Sequence, residues 1–165
     1  MEASTADLCD KFGAQVQVCC APLHSFGARR SAQGAIACLR TFEDAALLRD
    51  MLDQPGHGRV LVVDGDGSIR VALLGEKIAR LGKANGWSGV VINGAVRDVD
   101  QLKQIDLAVF ALGKAPMRGG NLGGGEQGIP VRFGGTDFLP NDFICLDADG
   151  LVVIPGLRMS GSRRE

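Results

Sequence analysis

Two short stretches hold residue types that can do chemistry together: Gly75-Glu76-Lys77-Ile78 and, further on, Gly94-Ala95-Val96-Arg97-Asp98. A guanidinium beside a carboxylate can grip an anionic substrate and a divalent cation at one place. Arg stays charged at any working pH, and an aspartate is a hard oxygen ligand suited to magnesium or manganese. Glu76 lies in the first turn of a helical stretch whose opening N–H groups, on Lys77 and Ile78, have no partner within the helix and carry partial positive charge. A carboxylate or phosphate binds such an end without help from a side chain. A metal chelated there by a 2-keto acid would act as a Lewis acid and stabilise an enolate. Spacing alone also permits a plainer reading. In it Asp98 is the N-cap of a helix starting at Val99, Arg97 is a solvated charge, and Glu76 merely favours its own helix start.

The elements between and around these stretches must position them. The spacing predicts a helix over Gly75–Asn85 with Ile78, Leu81 and Ala84 inward and Gly86 at its end. A turn at Gly86-Trp87-Ser88-Gly89 then leads to a buried strand at Val90-Val91-Ile92. The Arg-Asp pair therefore falls just past a strand's carboxyl end, where open α/β sheets bind ligands. Val99–Ile105 follows as a short helix and Leu107–Leu112 as a further strand.

Upstream, Ser4 and Asp7 form an N-cap signature for a helix over residues 5–12 that Gly13 stops. Val16 and Val18 alternate with glutamines as a half-buried strand, and residues 22–32 have turn chemistry. Gly34–Phe42 reads as a strand, and Thr41 with Asp44 as a second capping pair for a helix whose apolar face is Leu47, Leu48, Met51 and Leu52. Arg59–Val63 is a β-branched strand. Asp64-Gly65-Asp66-Gly67 opens like a calcium loop, but its twelfth position is Gly75 rather than Glu, so it is expected to be a turn on positive-φ glycines. The stretch from Ser68 to Leu74 is equally compatible with an extended segment or a helical turn.

Met117–Gly128 holds six glycines without a Lys-Ser or Lys-Thr to close a phosphate loop, and is expected to be a surface loop. Strands follow at Ile129–Phe133, Asp142–Leu146 and Leu151–Ile154. Parallel βα units flanked by strand-rich ends make an α/β layered domain with a mixed sheet.

Composition bounds the function. The chain has 165 residues, 45% hydrophobic and 22% charged, which fits one globular domain over residues 1–157 with a polar tail at 158–165 expected to fray. A net charge of −1 and 5% aromatic content supply neither the electrostatic footprint nor the stacking surface of a nucleic-acid binder. A small metabolite or a partner protein is the expected ligand. The five cysteines lack CxxC spacing and are expected to be reduced thiols in core or half-buried positions. With no apolar leader, membrane-spanning run or address tripeptide visible, the expected location is the cytoplasm.

Four runs carry a resemblance: Gly58-Arg59-Val60-Leu61-Val62-Val63-Asp64-Gly65, Gly86-Trp87-Ser88-Gly89-Val90-Val91, Gly94-Ala95-Val96-Arg97-Asp98-Val99-Asp100 and Val131-Arg132-Phe133-Gly134-Gly135. Together they resemble the RraA-like family, named for regulator of ribonuclease activity A and including 4-hydroxy-4-methyl-2-oxoglutarate aldolases. The resemblance spans nearly the whole chain. It implies a three-layer α/β/β sandwich like the swivelling phosphohistidine domain, assembled as a homotrimer or a hexamer with sites at subunit boundaries.

Aldolase members are similar in having an acidic residue, twenty intervening residues and Arg-Asp; Glu76, residues 77–96 and Arg97-Asp98 fit that spacing. By resemblance, Asp98 would ligate magnesium or manganese and Arg97 would bind pyruvate and its enolate. Residues Gly75, Glu76, Lys77 and Ile78 would receive the substrate carboxylate, with Glu76 also holding a proton-shuttling water. Ribonuclease regulators of the family can lack the aspartate that this chain retains, which favours catalysis. Two departures are visible. Glu76 stands where Asp is commoner, and no residue of this sequence matches the carboxylate that longer aldolases lend to a neighbouring subunit from a C-terminal extension.

The implied activity is a metal-dependent lyase that releases pyruvate from a 4-hydroxy-2-oxo acid and decarboxylates oxaloacetate. The rival is a non-catalytic ring that docks on a ribonuclease; a structural oligomer with a vestigial site is a third option.

Overall fold

Apolar residues point to both faces of the longer strands, so the central sheet must be covered on both sides. A computed structural model of the chain, describing residues 3–157, shows how; the tail at 158–165 lies outside the described residues. In chain order the elements are α1 (Thr5–Phe12), β1 (Gln17–Val18), β2 (His24–Ser25), β3 (Ala32–Arg40), α2 (Ala46–Leu52), β4 (Val60–Asp64), β5 (Ala72–Leu74), α3 (Glu76–Ala84), β6 (Gly89–Val96), α4 (Val99–Leu102), β7 (Ala108–Lys114), β8 (Glu126–Gln127), β9 (Val131–Phe133), β10 (Thr136–Phe138), β11 (Phe143–Asp147) and β12 (Gly150–Ile154). Strands β3, β4, β6 and β7 run parallel in that order. Antiparallel β11, β12 and β1 extend one side, and antiparallel β2 pairs with β7 on the other.

Strand alternation sorts the core into layers. Leu39, Leu61, Val63, Val90, Ile92 and Val109 meet Leu48 and Leu52 of α2, Ala79 of α3 and Leu102 of α4. The intervening residues Ile36, Val60, Val62, Val91 and Phe110 meet Ile144 and Leu146 of β11, Leu151 and Val153 of β12, and the β9–β10 hairpin. One hydrogen-bonded sheet thus curls over itself and makes the second and third layers of an α/β/β sandwich. The outer face of β11–β12, with Phe143, Cys145, Val152 and Ile154, is covered by Leu8 of α1. Each fully buried Val or Leu contributes roughly 1.5–3 kcal/mol, so both sheet faces are held strongly.

Local signals fix several elements as expected. The Ser4–Asp7 capping box closes around α1, and Gly13 takes φ 56° at its end. The Asp64 turn is a clip rather than a metal loop. Its Oδ1 accepts from Asp66 N and Asn93 Nδ2, both at 2.9 Å, and no three-residue cluster of potential metal ligands occurs among the described residues. Positive φ falls on Asp66 and Gly67, not on Gly65. Gly65 is needed for a different reason, because a Cβ there would sit 2.8 Å from the Asn93 carbonyl oxygen.

Other expectations are corrected. Thr41 and Asp44 form no capping box. The Asp44 carboxylate accepts from Ala46 N at 3.0 Å, while the Thr41 hydroxyl donates to the Asp44 carbonyl at 2.9 Å. Helix α3 turns Ala79 and Gly82 fully to the core; Ile78 packs against that core half-buried, as expected, while Leu81 is only half-buried and Ala84 exposed. Small residues win because α3 lies close to α2: a Cβ on Gly82 would meet the Leu52 methyls at 3.4 Å. Val18 is exposed, since β1 is an edge strand with only β12 beside it. The predicted helix after Asp98 stops at Leu102, where Gln104 and Ile105 tighten into i−3 turns that bury Ile105. Strands β2 and β10 have too short a pattern to announce themselves. Cys20 is exposed, unlike buried Cys19, Cys38 and Cys145.

Candidate active site

The ambiguous stretch before Gly75 proves decisive. Beyond Asn93 the partner of β6 changes: β4 pairs with it as far as Asn93, and β5 takes over at Ala95 and Val96. The Asp64–Gly67 clip makes this exchange possible, because Gly65 N and Gly67 N both donate to Asn93 O at 3.1 Å and turn the chain away. Strands β5 and β6 then end side by side, with Arg97 N donating to Leu74 O at 2.9 Å. Gly75–Ile78 and Arg97–Asp98, distant in sequence, become neighbours at the carboxyl ends of two parallel strands.

The contact between them is direct. Asp98 Oδ2 accepts the Glu76 backbone N–H at 2.9 Å, so Asp98 caps α3 across the site. It does stand at the N-cap position of α4, which opens at Val99 as the plainer reading has it, but its side chain makes no cap bond there. The Asp98 backbone is left-handed, φ 59° and ψ 43°, a conformation Asp tolerates better than most residues. Gly75 is demanded by the approach: a Cβ would lie 2.6 Å from Asp98 Oδ2 and 3.3 Å from Arg97 Cγ. Arg97 is half-buried, with Nη1 donating to Pro116 O at 3.3 Å. Glu76 pairs with Arg80 Nε at 2.9 Å on the solvent side of α3, an exposed i,i+4 contact that adds little stability. Lys77 N–H and Ile78 N–H open the helix.

All six residues singled out by sequence line one cleft of about 360 Å3. Arg97 and Asp98 also border a second, mostly apolar hollow with Val99, Lys114, Ala115 and Pro116, and so stand as the partition between the two.

Sequence reasoning missed the opposite wall, which carries Arg49 from α2 and Arg118, Gly119, Gly120 and Asn121 from the glycine-rich segment. That segment is no free surface loop at this end. Gly119 N donates to Ala72 O, Gly120 N to Glu43 O and Ala45 N to Gly120 O, each at 2.8 Å. The buried Asp44 carboxylate then accepts from Leu122 N at 2.7 Å and Gly123 N at 3.2 Å. Burial by itself would raise the Asp44 carboxyl; the N–H donors of Ala46, Leu122 and Gly123 outweigh it and hold the group below its usual range. Before it, Glu43 sits at φ 55° and is gripped by Arg70 at 2.7 and 2.8 Å and by Ser68 at 2.6 Å. The available signal was an acidic pair ahead of an apolar helix, which local patterning assigns to capping.

With this geometry in view, known proteins can be compared. The RraA-like family model, described as Aldolase/RraA, matches residues 5–153. The chain belongs to the RraA-like family. A relative from Aromatoleum aromaticum carrying the provisional name 4-hydroxy-4-methyl-2-oxoglutarate aldolase is 45% identical, covering 93% of this chain and 96% of its own. The structure of the RNA-processing inhibitor RraA from Thermus thermophilis superposes with TM-score 0.92 at 40% identity over 98% of both chains. A Geobacillus kaustophilus structure named S-adenosylmethionine: 2-dimethylmenaquinone methyltransferase matches with TM-score 0.92 at 38% identity, covering 99% of this RraA-like chain and 100% of its own. One fold thus carries three names, so the residues in the cleft must carry the functional argument.

Proposed function

We propose that this RraA-like protein is a divalent-metal-dependent lyase. It cleaves 4-hydroxy-4-methyl-2-oxoglutarate, or a related 4-hydroxy-2-oxo acid, to pyruvate and a second oxo acid, and decarboxylates oxaloacetate. The observation that carries this reading is the Asp98 carboxylate held at the N-terminus of α3 beside Arg97 in an open cleft. The aldolase name of the Aromatoleum aromaticum relative supports it.

The donor set fits magnesium or manganese. Such ions keep several waters and bind through one or two carboxylates plus the substrate, and Asp98 is exposed with Oδ1 free of any hydrogen bond among the described residues. Held by Asp98, the metal would polarise the oxygens of a 2-oxo acid as a Lewis acid.

The chain's own groups do the rest. The N–H groups of Lys77 and Ile78, at the positive end of α3, take the C1 carboxylate. Arg97 faces the C2 oxygen and stabilises the negative charge that builds there as the C3–C4 bond breaks. The C4 hydroxyl proton passes to a water that Glu76 orients, C4 becomes a carbonyl as the C3–C4 electron pair moves into the enolate, and the same water returns a proton to C3. In oxaloacetate the bond that breaks releases carbon dioxide, and the same proton return yields pyruvate.

A homotrimer or hexamer in the cytoplasm belongs to this reading. Exposed Phe42, Met117 and Leu122 on segments flanking the cleft support an assembled state. No helix among the described residues is long and apolar enough to cross a membrane.

The second reading, a non-catalytic ring that binds and inhibits a ribonuclease, is supported by the likeness to the Thermus thermophilis inhibitor. Pyruvate release from oxaloacetate with magnesium, coupled to lactate dehydrogenase, separates the two. Rates above both enzyme-free magnesium and Asp98→Ala protein establish the lyase. Rates equal to both controls overturn it and turn the search to a bound ribonuclease.

A further inference from the structure

The last residue that β6 shares with β4 is Asn93, and it is bonded there through both backbone and side chain. Its carbonyl accepts Gly65 N and Gly67 N at 3.1 Å each, and its amide Nδ2 donates to Asp64 Oδ1 at 2.9 Å. The same Asp64 oxygen takes Asp66 N at 2.9 Å, so one carboxylate atom closes the clip and ties it to β6. Asp64 and Asn93 are half-buried and line neither the cleft nor the hollow beside it.

Two bonded paths lead from this pair to the site. Along β6 the chain passes Gly94, where a Cβ would meet Ser68 O at 3.3 Å, and then pairs with β5 at Ala95 and Val96. Arg97 follows, its N–H seated on Leu74 O at 2.9 Å. Along the clip, Ser68 N donates to Gly65 O at 3.2 Å, and the Ser68 hydroxyl donates to Glu43 Oε2 at 2.6 Å. The Glu43 carbonyl in turn accepts the N–H of Gly120, on the opposite wall of the cleft. Position 93 must supply a donor, because the ionised Asp64 carboxylate only accepts. A second carboxylate there would set two negative acceptors within hydrogen-bond distance of each other.

We infer that Asn93, acting through Asp64, is a positioning residue for this site. Their hydrogen bond sets where β5 replaces β4 beside β6, and so holds Gly75 against Asp98 and Arg97 in the cleft. Its effect on catalysis rests on the lyase reading proposed above; its effect on geometry does not.

Amide hydrogen exchange read residue by residue by NMR, beside pyruvate release from oxaloacetate with magnesium, tests this. Asn93→Asp is expected to lower the protection of the Glu76 and Arg97 amides about fivefold or more, while the amides of β11 and β12 keep theirs. Its kcat/KM should fall about tenfold. Asn93→Ala drops the donor without adding charge, should loosen the same two amides more weakly, and carries the test if Asn93→Asp does not fold. The double variant Asp64→Asn/Asn93→Asp puts the amide on the clip and the carboxylate on β6 at unchanged net charge. It should return both readouts to within about threefold of wild type, a rescue that a purely structural role for either residue would not give. Unchanged Glu76 and Arg97 protection in the single variants, a loss shared equally by β11 and β12, or a double variant that does not regain the protection would overturn the inference. Selective and rescued protection in a protein that never releases pyruvate keeps the positioning role and sinks the lyase. Pyruvate release with unmoved protection does the reverse.

Discussion

Asp98 Oδ2 lies 2.9 Å from Glu76 N, so the carboxylate that follows one strand caps the helix that follows its neighbour. The bond ties the proposed metal ligand to the proposed carboxylate-binding turn. Disturbing either therefore disturbs both, and the tie makes the site testable by small substitutions.

Gly75→Ala would put a methyl group 2.6 Å from Asp98 Oδ2 and push that carboxylate off Glu76 N. Gly75 has φ −133°, so the backbone itself accepts alanine and the fold should persist. Pyruvate release is expected to fall about 100-fold, as a misplacement near 1 Å does in a positioned site. A thermal melt beside the coupled assay checks that the loss is local.

Asp98→Asn keeps a residue that tolerates the left-handed backbone and retains an acceptor for Glu76 N. Stability should stay within about 0.5 kcal/mol of wild type while lyase activity disappears. Asp98→Ala loses the cap and strains the backbone, and urea unfolding should show a loss of about 2 kcal/mol. If Asp98→Asn remains fully active, the metal-ligand role is wrong.

Glu43 should govern part of the acid limb of stability. The Arg70 and Ser68 hydrogen bonds lower its carboxyl from an ordinary 4.5 to about 2. Its folded-state value is depressed, so its contribution is complete above the unfolded value and is lost as pH falls through the folded one. Urea midpoints measured from pH 5 down to 2 should fall less steeply in Glu43→Gln than in wild type. Arg70 is well exposed, so added salt should shrink the difference.

The thiols should separate by exposure. Burial pushes Cys38 up to about 12, and its Sγ also donates to Phe138 O at 3.4 Å. Burial raises Cys19 as well. Iodoacetamide at pH 8 should label exposed Cys20 first and half-buried Cys9 more slowly. Cys19, Cys38 and Cys145 should require denaturant. Rapid native labelling of Cys38 would contradict the packing of β3 against the β9–β10 hairpin.

Much of the fold was legible in local pattern. The Ser4–Asp7 box, the β-branched run of β4 and the start of α3 after Gly75 all form as their spacing predicts. Legibility stopped where neighbours are chosen by shape. Ile78 and Leu81 look like the inward face of α3, yet Ile78 packs on the core only half-buried, and the fully buried positions are Ala79 and Gly82, where Leu52 lies close. Thr41 and Asp44 look like a cap, yet the Asp44 carboxylate, besides taking Ala46 N at the start of α2, is shared with N–H groups 78 and 79 residues away.

By itself the sequence determined the alternation that buries both sheet faces, and it named Glu76, Arg97 and Asp98 as the groups able to do chemistry. The tertiary structure alone decided that β5 replaces β4 beside the end of β6, which brings Gly75 against Asp98. It also decided that the glycine-rich segment folds back to add Arg118 to the wall. Sheet partners and long-range N–H acceptors are settled by packing and by the need to pair every buried polar group, and neither leaves a periodic trace along the chain.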